Sequence, residues 1–289
     1  MKKAFTLIEL IIVIGIIAIL SATLIVSLSG SSDSAKAAKC LANMHALAMG
    51  VQGRAVAGSN ALLAGSITKY TSARMDNTTT LHGWIGWNGT SYISPYSEDD
   101  DAREKTLKNG SIWSYVSGNK DVYFCPLHRK AAEDASVGLK YGPLWSYAMN
   151  AKFGWMNQTD PYSYKYCGRD FVSLANKNKI LLFAELPFTK NAIVSKPDFN
   201  SGASKANDPI LQYSGNGGDE LIGFNHKLGK REMYGHVCFA DGHTEKFQLP
   251  RNATEQNIKE LTKWLCDPSS SNDIVLEDGK YQQFGTTDE

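Results

Sequence analysis

The feature that most constrains this chain is a long apolar run close to its start. Two lysines precede the run, which extends from Phe5 to Leu28, and Glu9 is its only ionisable side chain. As an α-helix with a rise of about 1.5 Å per residue, the run reaches roughly 36 Å, more than a bilayer core of about 30 Å. Lysines directly before such a run favour a cytoplasmic N-terminus. We therefore expect residues 5–28 to form a helix that crosses the membrane once.

Two common kinds of N-terminal segment explain this run incompletely. A cleaved secretory signal has an apolar core of about 7–15 residues before a small-residue cleavage site. The present run is longer, and the small residues 21–23 are followed by further apolar residues. An uncleaved signal anchor fits the length. It leaves Glu9 unexplained, because a carboxylate in a membrane helix is costly and usually has a partner.

The residues KKAFTLIEL at 2–10 resemble the class III signal of type IV prepilins and type II secretion pseudopilins. The resemblance implies that a prepilin peptidase removes residues 1–4 as a leader, cutting between Ala4 and Phe5, and that the same enzyme N-methylates Phe5. It also implies that Glu9 pairs with the terminal amine of a neighbouring subunit. The family usually has Gly before the cut, where this chain has Ala4, and an uncleaved anchor remains the alternative.

The helix is expected to continue beyond the apolar run. Residues 29–34 form a polar patch with a weak point at Gly30, and strong helix formers resume at Ala35. Apolar side chains then recur at intervals of three and four residues, which predicts an amphipathic helix over residues 29–57. This stripe consists of Leu41, Met44, Leu47 or Ala48, and Val51. We expect a nearly continuous helix from Phe5 to Ala57, whose second half packs under a head domain.

The remaining chain predicts a globular α+β head over residues 58–268, followed by a polar tail at 269–289. Its clearest strand is residues 179–185, which contains a run of consecutive apolar residues at 180–184 that indicates burial on both faces. Residues 190–218 are rich in Asn, Ser, Gly and Lys, and we interpret them as an exposed, variable insertion that offers a surface to partners. With the family resemblance, the expected fold is pilin-like, a long helix packed on an antiparallel β-sheet.

Four short segments of the head resemble those of a large subset of prepilin-like proteins. They are GSIWSYV at 110–116, FCP at 124–126, SYAMN at 146–150 and FADGH at 239–243. The last resembles the H-x-DG box of that subset, which usually places nine residues between its His and its Asp-Gly. Here 14 residues separate His226 from Asp241. We therefore expect a longer loop at 227–234 and a DG hairpin over 235–249.

His226, His236, Asp241, Gly242 and His243 form a candidate structural or ligand cluster in this hairpin. Three imidazoles and a carboxylate are a donor set that zinc accepts. A two-residue Asp-Gly turn would place His236 and His243 on the same face, whereas a three-residue loop would change the register. We expect a structural hairpin with His226 hydrogen-bonded to the turn region, and we keep a metal or ligand site as the alternative.

Other chemical signals are weaker. Cys125 and His128 are a single pair of metal-binding residue types, so we interpret them as structural. The acidic residues 98–101 predict a solvated turn before a short helix at 102–107, with a calcium loop as the alternative although its usual spacing is missing. Glu185 ends the apolar strand, where a carboxylate more often caps a neighbouring loop. We therefore assign no metal and no cofactor, with calcium or zinc as alternatives.

The chain has five cysteines and no C-x-x-C pair, so the spacing of a zinc ribbon is missing. Disulfides are permitted outside the cytoplasmic membrane, and five cysteines form at most two of them. We expect one disulfide among Cys125, Cys167, Cys238 and Cys266, and an unpaired Cys40 on the helix.

Charge and motifs restrict the class of function. The net charge is +1, and loss of the two lysines in residues 1–4 changes it to −1, a balance that does not favour a nucleic-acid partner. The chain has no G-x-S-x-G, H-E-x-x-H, phosphate-loop or paired-carboxylate pattern. We therefore expect no enzyme and no catalytic residue.

The N-terminus consequently carries the functional prediction. We expect a pseudopilin or pilin-like structural subunit of a type II secretion or type IV pilus-like filament. It would sit in the bacterial inner membrane, with its N-terminus cytoplasmic and its head extracytoplasmic. Its expected partners are the prepilin peptidase, other pilin-like subunits, the inner-membrane assembly platform and membrane lipid.

The alternative is a membrane-tethered, exported module that binds polysaccharide or metal. A polysaccharide would need an exposed stacking face of aromatic rings. The candidate rings are Trp84, Trp87, Trp113, Trp145 and Trp155.

Overall fold

The computed structural model shows a long helix packed on a mixed β-sheet. It describes residues 7–57, 70–71, 80–81, 83–85, 99–128, 131, 144–153, 171–172, 174–188, 209–211, 221–228, 232–248, 253–266, 274–277 and 280–283. Several predicted features lie outside these residues, namely Ala4, Phe5, Trp87, Trp155, Cys167 and most of the insertion 190–218.

The N-terminal helix, α1, extends from Leu7 to Ala57 and continues past Gly30, as the sequence predicted. The large apolar side chains described from Leu7 to Leu20 are exposed, whereas the second half of α1 is buried against the head. The buried side chains of that half are Ala37, Cys40, Asn43, Met44, Leu47, Ala48 and Val51. In the residues that the structure describes, no helix combines the length and the apolar character that a membrane crossing requires.

Ten strands are described. They are β1 (Tyr70–Thr71), β2 (Thr80–Leu81), β3 (Tyr147–Asn150), β4 (Leu181–Glu185), β5 (Ile210–Leu211), β6 (His226–Leu228), β7 (Glu232–Phe239), β8 (Thr244–Gln248), β9 (Ile274–Glu277) and β10 (Lys280–Gln283). β1 pairs with β2, and β9 pairs with β10 within the predicted tail. The other six strands form one sheet.

Strand β7 determines the layout of this sheet. β4 and β8 both pair with Val237, and β6 and β8 both pair with Tyr234. A strand has two edges, so β8 lies along one edge of β7, while β4 and β6 lie end to end along the other. β3 and then β5 extend the sheet beyond β4. The end of β4 and the start of β6 therefore meet beside the middle of β7.

The sheet departs from the prediction in two ways. β3 and β5 pair in parallel, while the other described pairs of this sheet are antiparallel, so the expected antiparallel sheet is in fact mixed. β5 also lies inside the predicted exposed insertion 190–218. Its residues Ile210 and Leu211 are buried, so this part of the insertion belongs to the core.

Two further α-helices have both ends among the described residues, α2 from Asp100 to Lys108 and α3 from Glu255 to Cys266. The Asp99 carboxylate accepts a hydrogen bond from the Ala102 N–H at 3.0 Å and so caps α2. The acidic residues are thus a helix start, and α2 begins two residues before the predicted 102–107. Helix α3 buries an apolar face made mainly by Ile258, Leu261, Leu265 and Cys266.

Four residues separate β7 from β8, and three of them form the closed loop of the hairpin. The Phe239 N–H donates to the His243 carbonyl at 2.9 Å, which closes the loop around Ala240, Asp241 and Gly242. Gly242 has a φ of 94°, a conformation that favours glycine. This register differs from that of a two-residue turn. Because side chains alternate along a strand, the side chains of His236 and His243 lie on opposite faces of the sheet.

The same loop is held against α1. His45 Nδ1 donates to the Gly242 carbonyl at 2.9 Å, and the Gln52 amide lies 3.5 Å from the Ala240 carbonyl. His45 therefore packs the helix against the hairpin.

Gly235 in β7 lies where the backbone of residue 223 approaches the sheet closely, near the junction of β4 and β6. A Cβ at this position would lie 2.0 Å from the Gly223 carbonyl oxygen, a backbone atom that cannot move aside alone. We expect Gly235→Ala to lower the free energy of unfolding by at least about 3 kcal/mol, measured by urea denaturation of the full-length chain.

Gly53→Ala in α1 is the matched control. Its added Cβ would meet the ring of Tyr115 at 3.2 Å, and this ring is exposed and free to shift. A glycine-to-alanine change in a helix gains up to about 1 kcal/mol, so this variant should be neutral or more stable. Equal destabilisation of both variants would contradict the close approach described for Gly235.

Candidate functional site

The predicted assembly residue Glu9 lies in the first turns of α1 with an exposed side chain. The ten large apolar side chains described in this part of the helix, from Leu7 to Leu20, are each between 47% and 77% exposed. Apolar surface of this extent is typical of a region that lipid or another protein covers. The predicted processing residues Ala4 and Phe5 precede the described part of the helix.

A second site lies where β4 ends and β6 begins, on the face of the sheet that α1 covers. The register of β4 with β7 places Glu185 beside His236. The register of β6 with β7 places His226 opposite Tyr234, two residues from His236 and so on the same face. The sheet itself therefore brings one carboxylate and two imidazoles together.

Glu185 is fully buried, and its carboxylate accepts hydrogen bonds from four side chains. Oε1 accepts from the Cys40 thiol at 2.6 Å, from His236 Nδ1 at 2.7 Å and from His226 Nε2 at 2.8 Å. Oε2 accepts from the Asn225 amide at 3.0 Å. A buried carboxylate is costly unless several donors replace water, and this arrangement supplies them.

A second thiol, Cys125, follows the 3-10 helix Lys120–Tyr123, and its Sγ lies 4.0 Å from His226 Nε2. The Tyr147 hydroxyl donates to Cys40 Sγ at 3.3 Å. Four buried ligand-type atoms lie within 4.8 Å of one another, one from each of Cys40, Cys125, Glu185 and His226. Together with His236, whose Nδ1 bonds to the same carboxylate, these four residues form the Glu185 cluster.

Helix α1 is attached directly to the segment that carries Cys125. The Asn43 amide donates to the carbonyls of Asp121 and Phe124, each at 2.9 Å. Asn43 is three residues from Cys40 and therefore lies on the same face of the helix. The two thiols of the cluster are thus positioned by backbone contacts as well as by their own bonds.

The charges in the cluster stabilise one another. Burial alone would raise the pKa of the Glu185 carboxyl, but the charges and hydrogen bonds of His226 and His236 hold it well below its usual range. Burial alone would lower the pKa of His226, but the Glu185 carboxylate and Cys125 raise it to about 10. Burial, with Cys125 and Glu185 nearby, raises the pKa of Cys40, which keeps its proton and donates it to Glu185. Burial also acts to raise the pKa of Cys125, but hydrogen bonds with Cys40 and His226 lower it.

Two ring nitrogens face away from the carboxylate, His226 Nδ1 and His236 Nε2. Both are buried, and neither has a hydrogen-bond partner among the described atoms. A buried polar atom left unsatisfied costs about 1–3 kcal/mol. The hydrogen bonds to Glu185 therefore fix the orientation of the two rings, and the other nitrogen of each ring has no hydrogen bond among the described atoms.

The structure separates the members of the candidate cluster in the hairpin. His226 and His236 belong to the Glu185 cluster, and His226 bonds to the carboxylate there rather than to the turn region. Asp241 and Gly242 lie in the β7–β8 loop, and His243 Nδ1 contacts Asp241 Oδ1 at 2.5 Å. Because these last residues sit on the loop and the opposite face, they do not reach the buried imidazoles.

Sequence reasoning missed two essential members of the cluster. Cys40 was expected to be an unpaired helix cysteine, and Glu185 was expected to cap a loop. His128, the sequence neighbour of Cys125, does not join them, since its Nδ1 contacts Ser146 Oγ at 2.7 Å. The available signal was an acid at the end of a wholly apolar strand, because a buried carboxylate requires partners.

The cysteines correct a further prediction. Cys40, Cys125, Cys238 and Cys266 are buried thiols. The expected disulfide is therefore wrong for the three of its candidate residues that the structure describes, and the fourth, Cys167, lies outside the described residues.

The tryptophans give no stacking face in the part of the chain that the structure describes. Trp84 and Trp145 are buried, and Trp113 is half-buried. Trp84 packs on Tyr123 and Phe183 in the core. The described rings thus do not support a polysaccharide platform.

Comparison with known proteins identifies the N-terminus. Residues 1–25 match the prokaryotic N-terminal methylation motif. No curated protein and no solved structure matches this chain. The chain therefore carries a prepilin-like signal, typical of membrane-associated export, and the resemblance drawn from residues 2–10 is confirmed. The H-x-DG box remains a prediction.

Replacing the central carboxylate should show how much the cluster contributes to stability. Glu185→Gln keeps the shape of the side chain but removes the charge that faces two imidazoles. Breaking a buried ion pair from one side costs about 3–5 kcal/mol, so we expect a loss of that size in the free energy of unfolding.

The control is Glu245→Gln, since Glu245 also contacts a histidine, at 3.2 Å, but is partly exposed. Exposed pairs contribute about 0–1 kcal/mol, so this variant should unfold almost like the wild type in the same urea titration. A Glu185→Gln variant as stable as the control would contradict the central role of the carboxylate.

Proposed function

We propose that this chain is the precursor of a pilin-like structural subunit, processed by a prepilin peptidase and assembled through α1 into a type II secretion or type IV pilus-like filament. The observation that carries the proposal is the methylation motif at residues 1–25. Its support in the structure is the 51-residue helix α1, whose described first part is apolar and exposed. The role is structural rather than catalytic.

The exposed part of α1 needs a covering partner. Fully burying one Leu, Ile or Val side chain contributes about 1.5–3 kcal/mol, and ten such exposed side chains are described from Leu7 to Leu20. Before assembly, the partner is the lipid of the bacterial inner membrane, crossed once with the N-terminus cytoplasmic. In the filament, the partners are the equivalent helices of neighbouring subunits. The inner-membrane assembly platform would move the subunit from the first environment to the second.

Glu9 determines the register in which the apolar helices of neighbouring subunits pack. A carboxylate among apolar side chains is costly in lipid unless it is paired. The terminal amine of a cleaved Phe5 on a neighbouring subunit, methylated but still cationic, supplies a partner of opposite charge. Correct stacking of two helices then places Glu9 against that amine, whereas other registers keep the two opposite charges apart.

Processing is tested by mass spectrometry of full-length protein taken from the membranes of a bacterium with an active prepilin peptidase. We expect a chain that lacks residues 1–4 and begins with N-methylated Phe5. Ala4→Gly, which restores the usual family residue, should be cleaved at least as completely as the wild type. An intact Met1 in a host whose own prepilins are processed would overturn the proposal.

Assembly is tested separately with Glu9→Gln, which removes the charge but keeps the shape. We expect normal cleavage and at least a tenfold loss of cross-linked multimers in membranes, because one buried ion pair exceeds about 1.4 kcal/mol. The control is Glu104→Gln, which removes an exposed acid paired with Lys108 in the head. Multimers of Glu9→Gln at the level of the control would show that Glu9 is not an assembly contact.

A further inference from the structure

We infer that Cys40, Cys125, Glu185 and His226 form a buried zinc site that fastens helix α1 to the sheet of the head. The sequence analysis assigned no metal and kept a metal or ligand site as an alternative for a cluster of hairpin residues. Of that cluster, only His226 belongs to the four residues proposed here. The inference does not depend on filament assembly, because all four residues lie in the second half of α1 and in the head.

The geometry carries the inference. Four ligand-type atoms from four separate segments lie within 4.8 Å of one another. In a tetrahedral zinc site, with metal–ligand distances of about 2.0–2.3 Å, ligand atoms stand about 3.3–3.8 Å apart. The 4.0 Å between Cys125 Sγ and His226 Nε2 is close to this spacing. Glu185 Oε1 makes two shorter contacts, 2.6 Å to Cys40 and 2.8 Å to His226. These are hydrogen-bond distances, and a metal ion would displace the protons that the two atoms of each pair share.

The donor chemistry selects the metal. Two thiolates, one imidazole and one carboxylate are the ligands that zinc takes in four-coordinate sites. Calcium takes six to eight oxygen ligands, and this cluster offers a single carboxylate. All four residues are buried, so the site has the closed character of a structural rather than a catalytic zinc centre.

The surrounding side chains fit this role. His236 Nδ1 and the Asn225 amide donate to the two oxygens of Glu185, and the Tyr147 hydroxyl donates to Cys40 Sγ. Such outer donors orient the ligands of metal sites. Two thiolates and a carboxylate around a divalent cation leave one net negative charge, and hydrogen bonds from these three donors stabilise it. Binding of zinc releases the protons of both thiols and the Nε2 proton of His226.

The position of the site explains what zinc would contribute. Cys40 comes from α1, Cys125 from the segment after the 3-10 helix, Glu185 from the end of β4 and His226 from the start of β6. A structural zinc site contributes its binding free energy to folding, because the unfolded chain does not hold the four ligands together. The ion would therefore join the helix that carries the assembly surface to the sheet that forms the head.

A Cys40–Cys125 disulfide is the competing outcome, since both thiols lie in the same cluster and disulfides form in extracytoplasmic compartments. This disulfide would involve only the two cysteines. It would not explain why the Glu185 carboxylate and the His226 ring lie so close to both sulfur atoms. Metal loading and a non-reducing digest separate the two outcomes directly.

The test uses the full-length chain, purified in detergent, stripped with a chelator and then loaded with Zn²⁺ or Co²⁺ alone. We expect one tightly bound metal ion per chain, with the intense thiolate-to-cobalt absorption of a tetrahedral site in the Co²⁺ form. A folded wild-type chain that takes up neither metal overturns the inference. So does a Cys40–Cys125 cross-linked peptide in a non-reducing digest of the protein as isolated from membranes.

Variants locate the ion. Cys125→Ser and His226→Gln should weaken Zn²⁺ binding more than 100-fold, and Tyr147→Phe should weaken it by about 10–100-fold. Cys238→Ser and His243→Gln are the controls, because they remove a buried thiol and an imidazole outside the site. Full binding by Cys125→Ser, or equal loss in the controls, overturns the assignment. If a ligand variant does not fold, the metal content and cobalt spectrum of the wild type still decide the question.

Discussion

A carboxylate buried away from water needs several donors, and Glu185 obtains its donors from three separate parts of the chain. The thiol of Cys40 comes from α1, the two imidazoles come from β6 and β7, and the Asn225 amide lies just before β6. Each donor is placed by its own element, so the carboxylate is satisfied only when helix and sheet are assembled together. β4 and β6 both pair with the same edge of β7, and this arrangement brings Glu185 and the two imidazoles together.

Helix α1 consequently has two halves with different physical tasks. From Leu7 to Leu20 its large apolar side chains are exposed and available to lipid or to other subunits. From Ala37 to Val51 it is a core element of the head, held by the Glu185 cluster, by Asn43 and by the contact of His45 with the β7–β8 loop. In the proposed filament, a subunit assembled through the first half would transmit its position to the head through the second half. The buried cluster would then fix the head on the helix that carries the methylation motif.

The elements that sequence reasoning predicted well are those set by local pattern. The apolar run and stripe of α1 and the apolar run of β4 need no knowledge of distant residues. The Glu185 cluster could not be predicted in this way, because its members are far apart in sequence and meet through strand registers. One additional residue in the β7–β8 loop placed His243 on the face opposite His236, which separated histidines that look equivalent in the sequence. Cys40 was missed for the same reason, since its partner lies 145 residues away.

The central claim is that the second half of α1 and the sheet form one cooperative unit around Glu185. Native-state hydrogen exchange of the full-length chain tests it most directly, by comparing backbone amides of residues 40–51 with those of β4. The account predicts that both sets exchange only through the same opening, with the same free energy and the same loss in Glu185→Gln. Exchange of the helix amides through a separate opening of much lower free energy, while β4 stays protected, would contradict it.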